Sequence, residues 1–91
     1  MSIWQLREQD GKEVDFVLEG PNGNIIGIEV KASASPGSDT ARHLRWLKEK
    51  AGDRFTAGYV LHLGTRSSSF GDGIYAIPVA ALWGHATLGS H

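Results

Sequence analysis

Ninety-one residues suffice for one small domain with one core, and 41% hydrophobic with 21% charged residues is the composition of an ordinary globular chain. The formal net charge of −1 gives no bulk attraction to nucleic acid or an anionic membrane, and the absence of cysteine excludes disulfides and thiolate metal sites. No apolar stretch approaches the ~20 residues that a membrane helix needs.

The start, "MSIWQLREQD", has neither a basic n-region nor an apolar h-region, so a cytoplasmic protein is the expectation. Residues 1–86 read as a single domain and 87–91 as a tail. The charge is unevenly placed: residues 1–30 carry two basic and six acidic side chains, residues 31–54 six basic and three acidic. An acidic strand block before a basic helix block fits a metal site beside a phosphate-binding surface, and equally fits opposite charges pairing across the fold.

In chain order, the turn signals "DG" at Asp10–Gly11 and "PNGN" at Pro21–Asn24 separate strand-like runs over residues 2–8, 13–19 and 25–31, which together read as a three-stranded antiparallel meander. Pairing Phe16 with Ile28 also pairs Val14 with Val30 and Leu18 with Ile26, and demands a five-residue loop from Gly20 to Asn24. That register sets Asp15 opposite Glu29 and Glu13 opposite Lys31, away from the apolar face. For the first strand, matching Leu6 with Phe16 and Trp4 with Leu18 places Arg7 opposite Asp15.

"TARHLRWLKEKAG" reads as a helix with Ser38 or Asp39 as its N-cap and Gly52 at its end, its stripe of Ala41, Leu44, Leu47 and Ala51 facing the sheet. Arg42, His43, Arg45 and Lys48 lie partly or wholly off that stripe. "TAGYVLHLG", 56 to 64, reads as a strand parallel to the third, since strand, helix and strand form a crossover. "GTRSSSFGDG" reads as a loop, "IYAI" as a short last strand, and Pro78 as the opening of a helical turn through Trp83.

Opposed carboxylates repel unless a cation lies between them. Asp15 and Glu29 supply hard oxygen ligands for Mg²⁺ or Mn²⁺, the Val30 backbone carbonyl can add another, and Lys31 shares the strand face of Glu29, where it can orient a water or hold a phosphate oxygen. Those are the demands of phosphodiester hydrolysis. The bland alternative is a cross-strand ion-pair set at a sheet edge. His43, His62 and His85 show no zinc spacing and read as incidental. Trp4 and Trp83 read as packing residues and Trp46 as a partner contact. The absence of a Walker motif excludes ATP hydrolysis by this chain.

The spacing D-x(13)-E-V-K across a hairpin resembles the motif of PD-(D/E)xK nucleases. More closely, "REQDGKEVDFVLEG", "IIGIEVKASA", "AGDRF" and "FGDGIYAIPVAALW" resemble the C-terminal domain of uncharacterised function found in many bacterial and archaeal AAA-type ATPases, over about Trp4 to Trp83. The resemblance implies an α/β fold, a truncated restriction-endonuclease-like core of antiparallel meander plus helix crossover to a parallel strand. It matches Asp15 to the first acid, Glu29 to the second and Lys31 to the lysine, with Arg7 and Glu13 as supporting residues. Val14 stands where that superfamily often has proline, and the chain begins at the first strand where the superfamily core begins with a helix.

The expectation is therefore a Mg²⁺- or Mn²⁺-dependent nuclease acting on DNA or RNA, with Arg42, Arg45 and Lys48 steering the phosphate backbone. An AAA-type ATPase and a second copy of the chain are further candidate partners. The alternative is a non-catalytic module that binds nucleic acid or a partner ATPase, and a third expectation is a remnant that needs a preceding segment to complete its core.

Overall fold

The computed structural model describes residues 1–8 and 11–81. Six strands form one sheet: β1 (Ser2–Arg7), β2 (Glu13–Glu19), β3 (Ile25–Val30), β4 (Phe55–His62), β5 (Ser68–Gly71) and β6 (Ile74–Pro78), in the order β1-β2-β3-β4-β6-β5. The first three make the antiparallel meander, β4 runs parallel to β3, and β6 runs parallel to β4. The α/β architecture expected from the sequence is what the chain adopts.

A 3-10 turn (Ser38–Ala41) leads into the helix α1 (Arg42–Ala51), which ends at Gly52. The expected N-terminus is corrected here: Thr40 and Ala41 are 3-10 rather than α-helical, and neither segment has a side-chain cap. The buried stripe is as expected, with Ala41, Leu44 and Leu47 enclosed against Val14, Val17, Ile25, Val60 and Ile74. Burying some eight such side chains, each worth ~1.5–3 kcal/mol, is the main force holding helix to sheet.

The helix approaches closely because Gly27 and Gly58 are register partners on β3 and β4. A Cβ at Gly27 would stand 2.6 Å from Leu47 Cδ2 and 2.7 Å from Leu44 Cδ2. The two glycines form a trough in which both leucines sit.

Two expectations about the meander are corrected. β2 and β3 pair as expected, Phe16 with Ile28 and Leu18 with Ile26, and the five-residue loop is closed by Gly20 N–H to Asn24 O at 3.0 Å. On the other side, however, Trp4 pairs with Val17, Leu6 with Val14 and Arg7 with Glu13, so three steps of β2 oppose two of β1. That extra residue is a β-bulge at Asp15–Phe16. It turns Val14 to the same face as Val17, and both are buried under α1, whereas Phe16 and Val30 are 40% and 48% exposed. Val14 and Val30 therefore do not share a face.

The helix covers the face of Ile25, Gly27 and Glu29, opposite to Phe16, Ile28 and Val30. The second correction follows: Glu29 lies on the helix-covered side. On the other face no helix covers the sheet among the described residues, and Ile28, Tyr59, Leu61 and Ile77 line a shallow apolar groove, with the rings of Tyr59 and Tyr75 stacked at 6.0 Å.

Residues 68–71, expected to be loop, form the edge strand β5. The turn after it has Asp72 at φ 59° and Gly73 at φ 77°, the paired left-handed conformations of a tight hairpin. Pro78 ends β6 and helix begins at 79. Trp83, His85, Asp10 and the remainder of that terminal turn lie outside the described residues.

Candidate functional site

The bulge places its chemistry where the β2–β3 ladder stops. Beyond the Phe16–Ile28 pair the strands are joined by their carboxylates: the Asp15 N–H donates to Glu29 Oε1 at 2.9 Å, and the Val30 N–H donates to Asp15 Oδ2 at 2.8 Å. Each acid occupies the position of a missing carbonyl on the opposite strand. The exchange leaves Asp15 Oδ1 and Glu29 Oε2 outside these two bonds. Lys31 N–H reaches Leu61 O in β4 at 2.8 Å, so the adjacent Val30 peptide groups face the other way, toward β2 and Asp15. The Val30 carbonyl thus lies on the side of the acids while its side chain stays on the open sheet face.

Glu29 is only 3% exposed. Burial raises its carboxyl pKa above the ordinary value. The Asp15 amide bond pulls the other way, the Asp15 charge adds to the rise, and the charges of Lys31 and His43 lower it. Lys31 Nζ lies 3.7 Å from Glu29 Oε2. A carboxylate kept in a desolvated position beside a second acid costs stability, which is characteristic of functional sites.

Among the described residues no group of three or more His, Asp or Glu side chains is placed to hold a metal. Mg²⁺ does not require one, because it is commonly held by one or two carboxylates with water and substrate oxygens completing its shell. The carboxylates of Asp15 and Glu29, each with one oxygen outside the two amide bonds, and the Val30 carbonyl on their side of the strand are hard donors of the kind that would suit Mg²⁺ or Mn²⁺.

The supporting residues sit differently from expectation. Glu13 pairs with Arg7, Nε to Oε2 at 3.6 Å, and both are exposed; Glu13 is not the partner of Lys31, and Arg7 does not oppose Asp15. The three basic helix residues separate. Arg45 donates to Phe70 O at 2.8 Å and pairs with Asp72 at 3.6 Å, while Lys48 donates to Asp72 O at 2.9 Å and lies 3.9 Å from its carboxylate. Both fasten the edge hairpin to the helix. Arg42 makes no ion pair among the described residues.

One residue near the acids was missed. His43, read as incidental, is close enough to act on the Glu29 charge. It lines a cleft of about 310 Å³ with Gly11, Lys12, Arg42 and Trp46. Its adjacency to Arg42 in the helix's first turn was the available signal. His62 is 2% exposed; its Nδ1 accepts the Gly64 N–H at 3.0 Å, and its Nε2 is buried without a partner among the described residues.

Fold and site together define a small α/β domain whose meander carries a paired-carboxylate and lysine cluster at a break in its ladder. Residues 1–82 match the family model described as "Domain of unknown function (DUF4143)", and the chain belongs to that family. No curated protein and no solved structure matches it. Among the described residues no helix is long and apolar enough to cross a membrane.

Proposed function

We propose that this domain is a metal-dependent phosphodiesterase acting on DNA or RNA, of the PD-(D/E)xK type. The observation that carries the proposal is the ladder break at which Asp15 and Glu29 meet, one of them buried at a cost that pairing with Lys31 does not cancel. Asp15, Glu29 and the Val30 carbonyl would hold Mg²⁺ or Mn²⁺, which when bound polarises a phosphoryl oxygen and makes a water nucleophilic. Lys31, on the strand face of Glu29, orients that water or holds a phosphate oxygen. Enclosure under α1 keeps the Glu29 side of the cluster in a low dielectric, where each charge acts more strongly.

Calorimetric titration of Mn²⁺ into the protein tests the proposal. Wild type should bind, and Asp15→Asn and Glu29→Gln should each weaken binding by at least tenfold. Unchanged affinity in both variants, or no binding even with a short DNA duplex present, removes the metal site.

A second possibility is favoured by the open sheet face. Parallel strands such as β3, β4 and β6 are ordinarily covered on both sides, and here Phe16, Val30 and Tyr75 are 40%, 48% and 42% exposed. In this alternative the chain is a non-catalytic module, seating the apolar stripe of a helix from a partner ATPase on that face. Its partner binding would be indifferent to Asp15→Asn and lost in Val30→Lys.

A further inference from the structure

The register of the sheet sets four side chains in one row across the face opposite α1. Phe16 of β2 pairs with Ile28 of β3, Ile28 with Tyr59 of β4, and Tyr59 with Tyr75 of β6. Directly opposed residues share a face and stand one strand spacing, ~4.8 Å, apart. Phe16 and Tyr75 are exposed and Tyr59 is half-buried. The Tyr59 and Tyr75 rings already stack, with centroids 6.0 Å apart and planes inclined by 29°.

Phe16 and Tyr59 flank Ile28 two strand spacings apart, ~9.6 Å. Among the described residues no ring contact joins them. Rings stack at centroid separations of about 4.5–7 Å, so a planar group laid over Ile28 would lie ~4.8 Å from a ring on either side. The row is a series of rings in which an aliphatic side chain stands in the place of one. Ile28 and Tyr59 also line a groove of about 360 Å³ with Leu61 and Ile77, and none of these four side chains is charged.

The slot lies beside the acids. Phe16 follows Asp15, Ile28 precedes Glu29, and their pair is the last before the ladder gives way to the carboxylates. An uncharged, ring-flanked slot one residue from the proposed metal site matches the two halves of a nucleotide, a flat neutral base and an anionic phosphate. A base can enter such a slot only when it is unpaired.

We infer that the slot over Ile28 takes an unpaired nucleobase between Phe16 and Tyr59, so that the substrate is single-stranded nucleic acid with the adjoining phosphate at the Asp15–Glu29 break. The choice of a nucleobase rests on the phosphodiesterase proposal; the binding it predicts requires no metal.

The test is fluorescence anisotropy in EDTA with a labelled twelve-nucleotide oligo-dT, an abasic strand of the same length, and the oligo-dT paired with oligo-dA. Wild type should bind oligo-dT at least tenfold more tightly than the abasic strand, which carries the same phosphates, and than the duplex. Tyr59→Leu removes one wall and should weaken oligo-dT binding about tenfold, in the range of one lost base stack. Tyr59→Phe keeps the ring and should bind as wild type. Ile28→Phe fills the slot with the protein's own ring and should weaken binding as much as Tyr59→Leu, by adding volume rather than removing it. Asp15→Asn should bind at least as tightly as wild type, since it removes a negative charge.

The inference is overturned if wild type does not bind oligo-dT, if the abasic strand or the duplex binds as tightly, or if Ile28→Phe binds like wild type. The Mn²⁺ titration separates the two proposals. Base-dependent binding without metal binding strikes only the phosphodiesterase, and metal binding with equal affinity for the abasic strand strikes only the slot.

Discussion

At the scale of single residues, the chemistry concentrates on Glu29. A carboxyl whose pKa is higher folded than unfolded holds its proton more tightly in the native state. Its stabilising contribution is fullest below the unfolded value and is lost as pH rises through the folded one. At pH 7 Glu29 is therefore a net liability to the fold, raised first by burial and then by the Asp15 charge. Glu29→Gln retains an oxygen to accept the Asp15 N–H and removes the buried charge. It should raise Tm by a few degrees at pH 7, given that 1 kcal/mol moves a domain of this size by roughly 4–8 °C. The gap to wild type should narrow as pH falls into the carboxylate range, measured by thermal melts between pH 4 and 8. A variant that is more stable and binds Mn²⁺ less well would mark Glu29 as retained for function.

At the scale of elements, the trough and the edge hairpin make separate predictions. Gly27→Ala forces a methyl against two enclosed leucine ends and should cost about 1–3 kcal/mol in urea unfolding. Asp72 sits at positive φ, and its ion pairs are largely exposed, so they contribute little. Asp72→Ala should destabilise by about 1 kcal/mol, and Asp72→Gly by less than half of that, because glycine adopts the turn without strain.

The same elements explain what was legible from sequence. The β2–β3 register followed from the apolar alternation and the length of "GPNGN", and it brought Asp15 and Glu29 together. The helix stripe followed from its 3.6-residue period. The bulge did not follow, because Val14, Phe16 and Leu18 alternate as though the strand were regular. Only the competing demand to bury Val17 betrays the extra residue. The face assignment of Glu29 was missed because both faces of β3 are apolar apart from that one side chain, and pattern alone does not say which the helix covers. β5 was missed because "SSFG" is short and half polar, although the Asp72–Gly73 turn after it is a hairpin signal. The separation of Arg42 from Arg45 and Lys48 depended on the position of Asp72, at least 24 residues away in the chain.

At the scale of the whole molecule, α1 covers one side of the sheet and, among the described residues, no helix covers the other. The exposed fractions of Phe16, Val30 and Tyr75, with the groove between Ile28, Tyr59, Leu61 and Ile77, make a contiguous apolar surface, the kind of feature associated with interaction surfaces. The native protein should enhance the fluorescence of an apolar dye such as ANS, and Val30→Lys with Tyr75→Lys should abolish the enhancement. Because these side chains contribute little to the enclosed core, the double variant should change unfolding free energy by less than about 1 kcal/mol. Loss of the native fold in that variant would show that the bare face is integral to the core.

The exchange of amide bonds between Asp15 and Val30 has a consequence for how occupancy of the site can be observed. Both protons are held by side-chain carboxylates where the other paired strands use carbonyls, so their solvent exchange depends on carboxylate charge. Protonating Glu29 weakens its acceptor and loosens the Asp15 amide, while a cation drawing on the same oxygens competes with both bonds. Hydrogen–deuterium exchange at these two backbone positions, compared with Val17 and Gly27 one step down the ladder, would register proton or metal binding as a local change in protection. The end of the hairpin carries its own built-in isotope gauge.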